Sequence, residues 1–357
     1  MPKDQTVTER RIFESWRARA CTAGLCVGTQ IFFFGTGVAM PIALNSAWIA
    51  ALIVLPFSAL MTAICCRKGF VRGRIMSRTA LILLAFTLLA NAVFAAAALV
   101  SFAEQTLLEQ GRALWSAAIT VTAIFLCALS SSGISWLCFA LRWTLPVLML
   151  ILILASMPMK VPSGLFPLLG QGGMELGFSA LCMLGASSPV LMLLLPPPEI
   201  VQAGSNTPHL SAPKTGFFIR RVLTGAAAGT LILFCACVCT TYEAIGESME
   251  WGTRLRIVAS DQPHEGLPQT LLTLLQIAAV MLLSSNMLAS AEQALSFALH
   301  KKGRFPSVLS ILSLLMLALL LLLIACGFHI ALFAAPLLIV PALLVLLLCG
   351  RKEKATP

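Results

Sequence analysis

The chain has 357 residues, of which 59% are hydrophobic and 11% charged, and its formal net charge is +10. A composition this apolar, with a mean hydropathy of +0.95, excludes an ordinary soluble globular domain and indicates an integral membrane protein. The twelve cysteines and four histidines show neither metal-ligand spacing nor a nucleophile motif, so we expect no cofactor, no metal and no enzyme activity.

A bilayer core of about 30 Å requires about 20 apolar residues per helix. The sequence therefore predicts an all-α polytopic protein with ten transmembrane helices in residues 22–349, between a cytoplasmic segment 1–21 and a cytoplasmic tail 350–357. No charged residue lies deep in any predicted span, and Arg142 falls between the fourth and fifth spans. The predicted spans are residues 22–43, 47–66, 79–102, 114–132, 143–159, 175–196, 222–242, 267–289, 306–326 and 331–349.

Positive charge is distributed unequally between the two faces of this arrangement. With the N-terminus inside, one face receives 20 of the 24 Lys and Arg residues, and short cytoplasmic loops are the ones that collect such residues. Both termini are therefore predicted to be cytoplasmic. Attraction to anionic lipid of the inner leaflet explains the net charge without a nucleic-acid partner.

The ten spans divide into two halves, 22–159 and 175–349, whose five helices run with opposite topology. The first span is interrupted by Gly35, Thr36 and Gly37, and the sixth by a run that begins at Gly185 and ends before Pro189. Matched interruptions in equivalent helices are typical of inverted-repeat carriers, in which discontinuous helices hold the substrate at mid-membrane. The sequence thus predicts a five-plus-five inverted repeat with discontinuous helices 1 and 6.

Freed carbonyls and half-helix ends suit the ammonium and carboxylate groups of an amino acid-like ligand. The alternative interpretation is that the glycines permit close helix packing and that the serines bond to their own helices. The candidate substrate-binding residues are Gly35, Thr36, Gly37, Gly185, Ala186, Ser187, Ser188 and Gln276 of the eighth span.

Further polar residues follow in the eighth span. Ser284, Ser285 and Asn286 are candidates for coordinating a coupling ion. They are equally suited to joining helices by hydrogen bonds.

Two stretches resemble the spore germination permeases, the B subunits of nutrient germinant receptors in the amino acid-polyamine-organocation superfamily. One is the Gly-Thr-Gly-Val-Ala-Met-Pro run at 35–41 followed by Ala-Trp-Ile at 47–49, and the other is Phe-Pro-Leu-Leu-Gly-Gln-Gly-Gly at 166–173. The chain departs from that family at Ser188 and Pro189, where the family often has a Gly-Glu pair.

The resemblance implies a nutrient-sensing permease-type subunit in the inner membrane of a spore, working with a larger receptor subunit and a lipoprotein. A proton- or sodium-coupled amino acid transporter of the bacterial cell membrane is the alternative, and a structural membrane scaffold is a second one. The scaffold would leave both glycine interruptions without a purpose.

Overall fold

The computed structural model describes residues 3–43, 46–69, 76–106, 113–155, 172–198, 200, 213–239, 267–299, 306–325 and 334–349, and the regular structure within them is helical. Two segments depart from α geometry: a π-helix at Gly35–Ala39 and a 3₁₀ helix at Leu184–Leu194. The α-helices in chain order are α1 (Lys3–Phe34), α2 (Met40–Ala43), α3 (Ala47–Lys68), α4 (Arg78–Thr106), α5 (Ala113–Leu129), α6 (Ser131–Ala155), α7 (Gly173–Met183), α8 (Thr215–Cys239), α9 (Leu267–Ala298), α10 (Pro306–Ala325) and α11 (Ala334–Leu348).

Seven helical segments among the described residues are long and apolar enough to cross a membrane. Two shorter apolar helices cover Ser116–Leu129 and Leu338–Leu348. These segments support an integral membrane protein, while ten crossings and an inverted repeat stay predictions. The seven segments are Ala47–Lys68, Arg78–Ala97, Ser132–Ile153, Gly173–Leu194, Thr215–Val238, Leu274–Ala298 and Ser307–Ala325.

Helices α1 and α8 pack in parallel along a stripe of glycines. A Cβ atom on Gly225 would lie 2.1 Å from the carbonyl oxygen of Gly24, and one on Gly28 would lie 2.3 Å from that of Gly225. Such a close approach of two backbones is possible only without side chains. The glycines of α8, in the seventh predicted span, therefore pack against α1 inside the fold.

The contact between α1 and α8 continues toward the start of α1, before residue 22, where the sequence predicts that the first span begins. The Trp16 and Phe218 rings lie 5.8 Å apart, and the Phe13 and Phe217 rings 5.9 Å apart. Because Trp16 is fully buried, part of the segment predicted as a separate cytoplasmic region packs against the helical bundle.

Two charged residues that the predicted segmentation leaves outside its spans lie inside candidate spans of the structure. Arg142 lies in the candidate span Ser132–Ile153, and Glu292 lies in the candidate span Leu274–Ala298. Hydropathy ends a span at a charge, whereas a helix continues where the charge faces protein. Arg142 packs over the Phe139 ring at 4.0 Å, and Glu292 is only 2% exposed and accepts a hydrogen bond from Ser296 at 3.1 Å.

The 3₁₀ helix lies at the centre of the helical arrangement. It contacts α1, α3, α4 and α11, and its residues from Gly185 to Leu194 are buried. This packing brings the interrupted sixth span against the middle of α1 and α4, where the candidate site is found.

Candidate substrate-binding site

Both predicted interruptions coincide with a change in helical hydrogen bonding. The first span changes from α to π geometry at Gly35, and the sixth changes from α to 3₁₀ geometry at Leu184. Neither segment is an unwound stretch: Met40 continues the first in the α region at φ −61° and ψ −39°. Short π and 3₁₀ segments inside helices are frequent at functional sites and hinges.

Three buried side chains meet where the 3₁₀ helix packs against α1 and α4. Ser188 Oγ lies 2.7 Å from Asn91 Oδ1, and Gln30 Nε2 donates a hydrogen bond to the same oxygen at 2.6 Å. Asn91 in turn donates to the Thr87 carbonyl of its own helix at 2.8 Å. Gln30, Asn91 and Ser188, hereafter the amide cluster, therefore join α1, α4 and the 3₁₀ helix through one oxygen atom.

The amide cluster is closed to solvent and incompletely paired. All three side chains are buried, and Gln30 Oε1 has no hydrogen-bond partner among the described residues. Ser188 Oγ also lies 2.6 Å from the Gly185 carbonyl oxygen, so its single proton can serve one of two acceptors at a time. A buried acceptor without a partner costs free energy, which a ligand donor at this position would recover.

The neighbouring serine is held by the third helix. Ser187 and Ser58 hydroxyls lie 2.8 Å apart and are both buried. Thr62 donates to the Ser58 carbonyl at 2.6 Å. This pair fixes the 3₁₀ helix against α3 and places Ser187 beside, and not in, the amide cluster. Ala186, which stands between Gly185 and Ser187, is buried as well.

Thr36 bonds to its own helix, as the alternative interpretation expects. Its hydroxyl donates to the Phe32 carbonyl at 3.0 Å and lies 3.3 Å from that of Phe33. Gly35 packs against Leu233, since a Cβ atom there would meet the Leu233 side chain at 2.3 Å. The surroundings of Gly37 fall outside the described part of the chain.

The eighth-span candidates lie on α9 and remain separate from the amide cluster. Gln276 is buried, but hydrogen bonds among the described residues do not link it to the three cluster side chains. Asn286 donates to the Leu282 carbonyl at 2.7 Å and lies 3.3 Å from Cys138 Sγ. The hydroxyls of Ser284 and Ser285 are buried without a partner among the described residues, so they retain oxygen atoms that a cation would use.

Sequence reasoning missed Gln30, Asn91 and Ser58. Gln30 and Asn91 are amide side chains inside otherwise apolar predicted spans. Such residues seldom face lipid, because an amide in hydrocarbon needs a partner. An amide alone in an apolar span can be recognised from the sequence. That Gln30 pairs with Asn91, 61 positions away, is shown only by the tertiary structure.

A second set of contacts lies at the other end of the 3₁₀ helix. Arg19, only 3% exposed, donates from Nε and Nη2 to the Met192 carbonyl at 3.3 and 3.1 Å. Gln293 donates to the Pro196 carbonyl at 2.8 Å. Side chains of α1 and α9 therefore hold the end of the interrupted sixth span.

The cluster is electrically neutral, being built from two amides and a hydroxyl. Among the described residues, no group of three or more His, Cys, Asp or Glu side chains could hold a metal ion. Amides and hydroxyls offer both donors and acceptors. This arrangement suits a small polar solute that carries no net charge.

These elements define a helical membrane protein whose polar site lies between two interrupted helices. No protein-family model and no curated protein matches the sequence. Among solved structures, the chain is similar to the manganese transporter of Eremococcus coleocola. Two point mutants of that protein match with a TM-score of 0.57 at 14% and 15% identity, covering 94% and 98% of this chain and 76% and 79% of the other.

A third structure of the same transporter, in complex with an aromatic bis-isothiourea substituted compound, matches with a TM-score of 0.54 and 14% identity over 93% of this chain and 76% of that one. The likeness shows that this chain shares the fold of that manganese transporter. It does not single out the spore germination permeases that the sequence resembles.

Proposed function

We propose that this chain is a membrane transporter for a small neutral or zwitterionic solute of the amino acid type. The observation that carries the proposal is the amide cluster, in which Gln30 of α1 and Asn91 of α4 meet Ser188 of the 3₁₀ helix in the interrupted sixth span. The transporter fold of the structural neighbours supports transport over the sensing and scaffold interpretations.

The chemistry of the cluster favours an organic solute over a manganese ion, although the neighbours are named manganese transporters. Manganese sites are built from carboxylates, carbonyls and water. Gln30, Asn91 and Ser188 contribute no carboxylate, and the buried acceptor of Gln30 suits an ammonium donor.

Coupling to a cation is the second part of the proposal. Ser284 and Ser285 present buried hydroxyl oxygens without partners among the described residues, and oxygen ligands are those that sodium-like hard cations take. We assign sodium as the coupling ion to be tested first, with protons as the alternative.

A nutrient-sensing subunit of a spore germinant receptor is the second candidate function. The 35–41 and 166–173 stretches favour it, since they resemble the permease subunits of those receptors. Such a subunit would bind the same solute at the amide cluster and pass the change to a larger membrane subunit and a lipoprotein instead of completing transport.

One experiment separates the two. The purified protein is reconstituted in liposomes and given a panel of radiolabelled amino acids with an inward sodium gradient, an inward proton gradient or neither. Gradient-driven accumulation supports the transporter, and saturable binding without accumulation supports the sensor. Absence of saturable binding for every neutral and zwitterionic solute in the panel contradicts both.

A matched pair of variants ties the result to the site. Ser188→Ala removes one hydroxyl from the amide cluster, whereas Ser313→Ala removes a buried hydroxyl that donates to the Leu309 carbonyl of its own helix at 2.8 Å. We expect the first change to weaken binding and the second to leave it intact.

A further inference from the structure

A crevice lies between α1, α6 and α8, away from the amide cluster. It is open to the exterior along part of its length. Most of its wall is apolar. Leu25, Phe32, Leu145, Met149 and Ile232 all line it.

Arginine side chains gather at one part of this crevice. Arg142 and Arg221 both line it. Each guanidinium group lies over an aromatic ring of its own helix, at 4.0 Å from Phe139 for Arg142 and at 5.2 Å from Phe217 for Arg221. Arg17 of α1 also lies over the Phe139 ring, at 5.1 Å from its centroid.

The positive charge of these three residues is poorly compensated. The Nε atoms of Arg17, Arg142 and Arg221 are buried and have no hydrogen-bond partner among the described residues. The carboxylate that the structure places against them is Glu14, 3.5 Å from Arg17. Arg142 and Arg221 line the crevice together with Cys21 of α1.

The crevice opens toward the bilayer. Trp143 lines it and is 51% exposed. Val147 and Leu148 on the adjoining surface of α6 are 48% and 42% exposed. Apolar residues this exposed on a membrane helix face lipid.

We propose that this crevice is a binding site for an anionic phospholipid. The phosphodiester lies between Arg142 and Arg221, and one acyl chain follows the apolar wall along Leu25, Phe32 and Met149. Guanidinium groups pair with phosphate oxygens through parallel hydrogen bonds, and basic pockets between membrane helices bind anionic headgroups. The unpaired Nε atoms supply donors for such bonds. The site is independent of the transported solute, because it shares no residue with the amide cluster.

The test measures lipid binding to the purified full chain in a neutral detergent. Phosphatidylglycerol and phosphatidylcholine with identical acyl chains are titrated, and bound lipid is counted by native mass spectrometry. We expect phosphatidylglycerol to bind about tenfold or more tightly, since each arginine near an anionic headgroup strengthens binding. Glycerol 3-phosphate, which carries phosphate without acyl chains, is expected not to compete at equal concentration.

Two kinds of variant locate the site. Arg142→Gln with Arg221→Gln should remove the preference for phosphatidylglycerol, whereas Arg220→Gln, the same type of substitution at an exposed position of α8 next to Arg221, should retain it. Ala228→Leu adds volume at a lining residue of the crevice and should reduce binding of the anionic lipid without altering charge, so it tests the site even where the double variant does not fold.

Equal binding of the two lipids would overturn the proposal. So would a preference that survives the paired arginine changes or, with those variants unfolded, survives Ala228→Leu. Competition by glycerol 3-phosphate as effective as that by the lipid would also overturn it, because the site would then take a soluble anion.

Discussion

Asn91 determines how the amide cluster is held together, because its side-chain oxygen accepts from two other helices. Gln30 and Ser188 approach it at 2.6 and 2.7 Å. Loss of the Asn91 side chain leaves the Gln30 amide without its acceptor, and a buried group left unpaired costs more than the average hydrogen bond is worth. Loss of the Ser188 hydroxyl removes one of the two donors that face Asn91 Oδ1. Ligand binding and stability are therefore expected to change together at this site.

The Ser188→Ala variant tests this expectation at the level of one hydroxyl. We expect solute affinity to fall about tenfold and stability by about 1 kcal/mol, the usual worth of one hydrogen bond. Binding of the radiolabelled solute and thermal unfolding in detergent measure the two effects. Equal affinity in Ser188→Ala and Ser313→Ala would remove Ser188 from the site.

Replacement of a glycine in either interruption tests the predicted binding role more severely. Gly185 is buried and its carbonyl oxygen lies 2.6 Å from Ser188 Oγ, so Gly185→Leu should abolish solute binding by displacing the 3₁₀ helix. Membrane insertion should persist, because added apolar surface does not oppose it. Gly37→Leu is expected to act in the same way in the first span. A variant of either kind that inserts and binds normally contradicts the assignment.

At the scale of elements, the contact between α1 and α8 is the closest helix approach that the glycines reveal. Gly225→Ala would place a Cβ atom 2.1 Å from the backbone oxygen of Gly24, which no side-chain rotation relieves. We expect α1 and α8 to move apart, which lowers the free energy of unfolding by about 1–3 kcal/mol, the usual penalty of overpacking. The thermal unfolding midpoint measures it.

Gly216→Ala is the matched control for that change. It lies on the same helix, and a Cβ atom there meets nothing within 4 Å. We expect no loss of stability, because alanine is the better helix former. Equal destabilisation by the two substitutions would mean that the glycine stripe does not hold α1 and α8 together.

At the scale of the whole molecule, the distribution of positive charge predicts that both termini lie in the cytoplasm. Reporter domains fused to each end, one active only inside and one active only outside the cell membrane, measure this directly. An even number of crossings places both on the same side, and the positive-inside rule places that side in the cytoplasm. Termini on opposite sides would exclude ten crossings.

The proposed solute can reach the amide cluster only if the surrounding helices move, because the cluster is closed in this structure. The amide cluster is buried, while Arg19 and Gln293 hold the carbonyls of Met192 and Pro196 at the end of the sixth span. Access to the cluster therefore requires these helices to move relative to one another. Transporters of inverted-repeat type move in this way around a fixed site.

Hydropathy and glycine placement were enough to predict a membrane protein and both interruptions, because these depend on the local chain. Apolar length sets which helices can cross a bilayer, and Gly35 and Gly185 lie where helical hydrogen bonding changes. The predicted spans stop short of Arg142 and Glu292, whereas the candidate spans of the structure include both residues. Hydropathy depends only on residue type, so it does not reveal that a charge faces protein or stacks on an aromatic ring.

The partners of Gln30, Asn91 and Ser188 were decided by the tertiary structure alone. The sequence by itself determined that polar groups would be carried into an apolar bundle, since the residue types and their depth are properties of each helix. Which of them meet depends on the rotation and register of helices far apart in the chain, as with Ser188 and Asn91 across 97 positions. Those are set by packing such as the glycine contact of α1 with α8, which no single segment encodes.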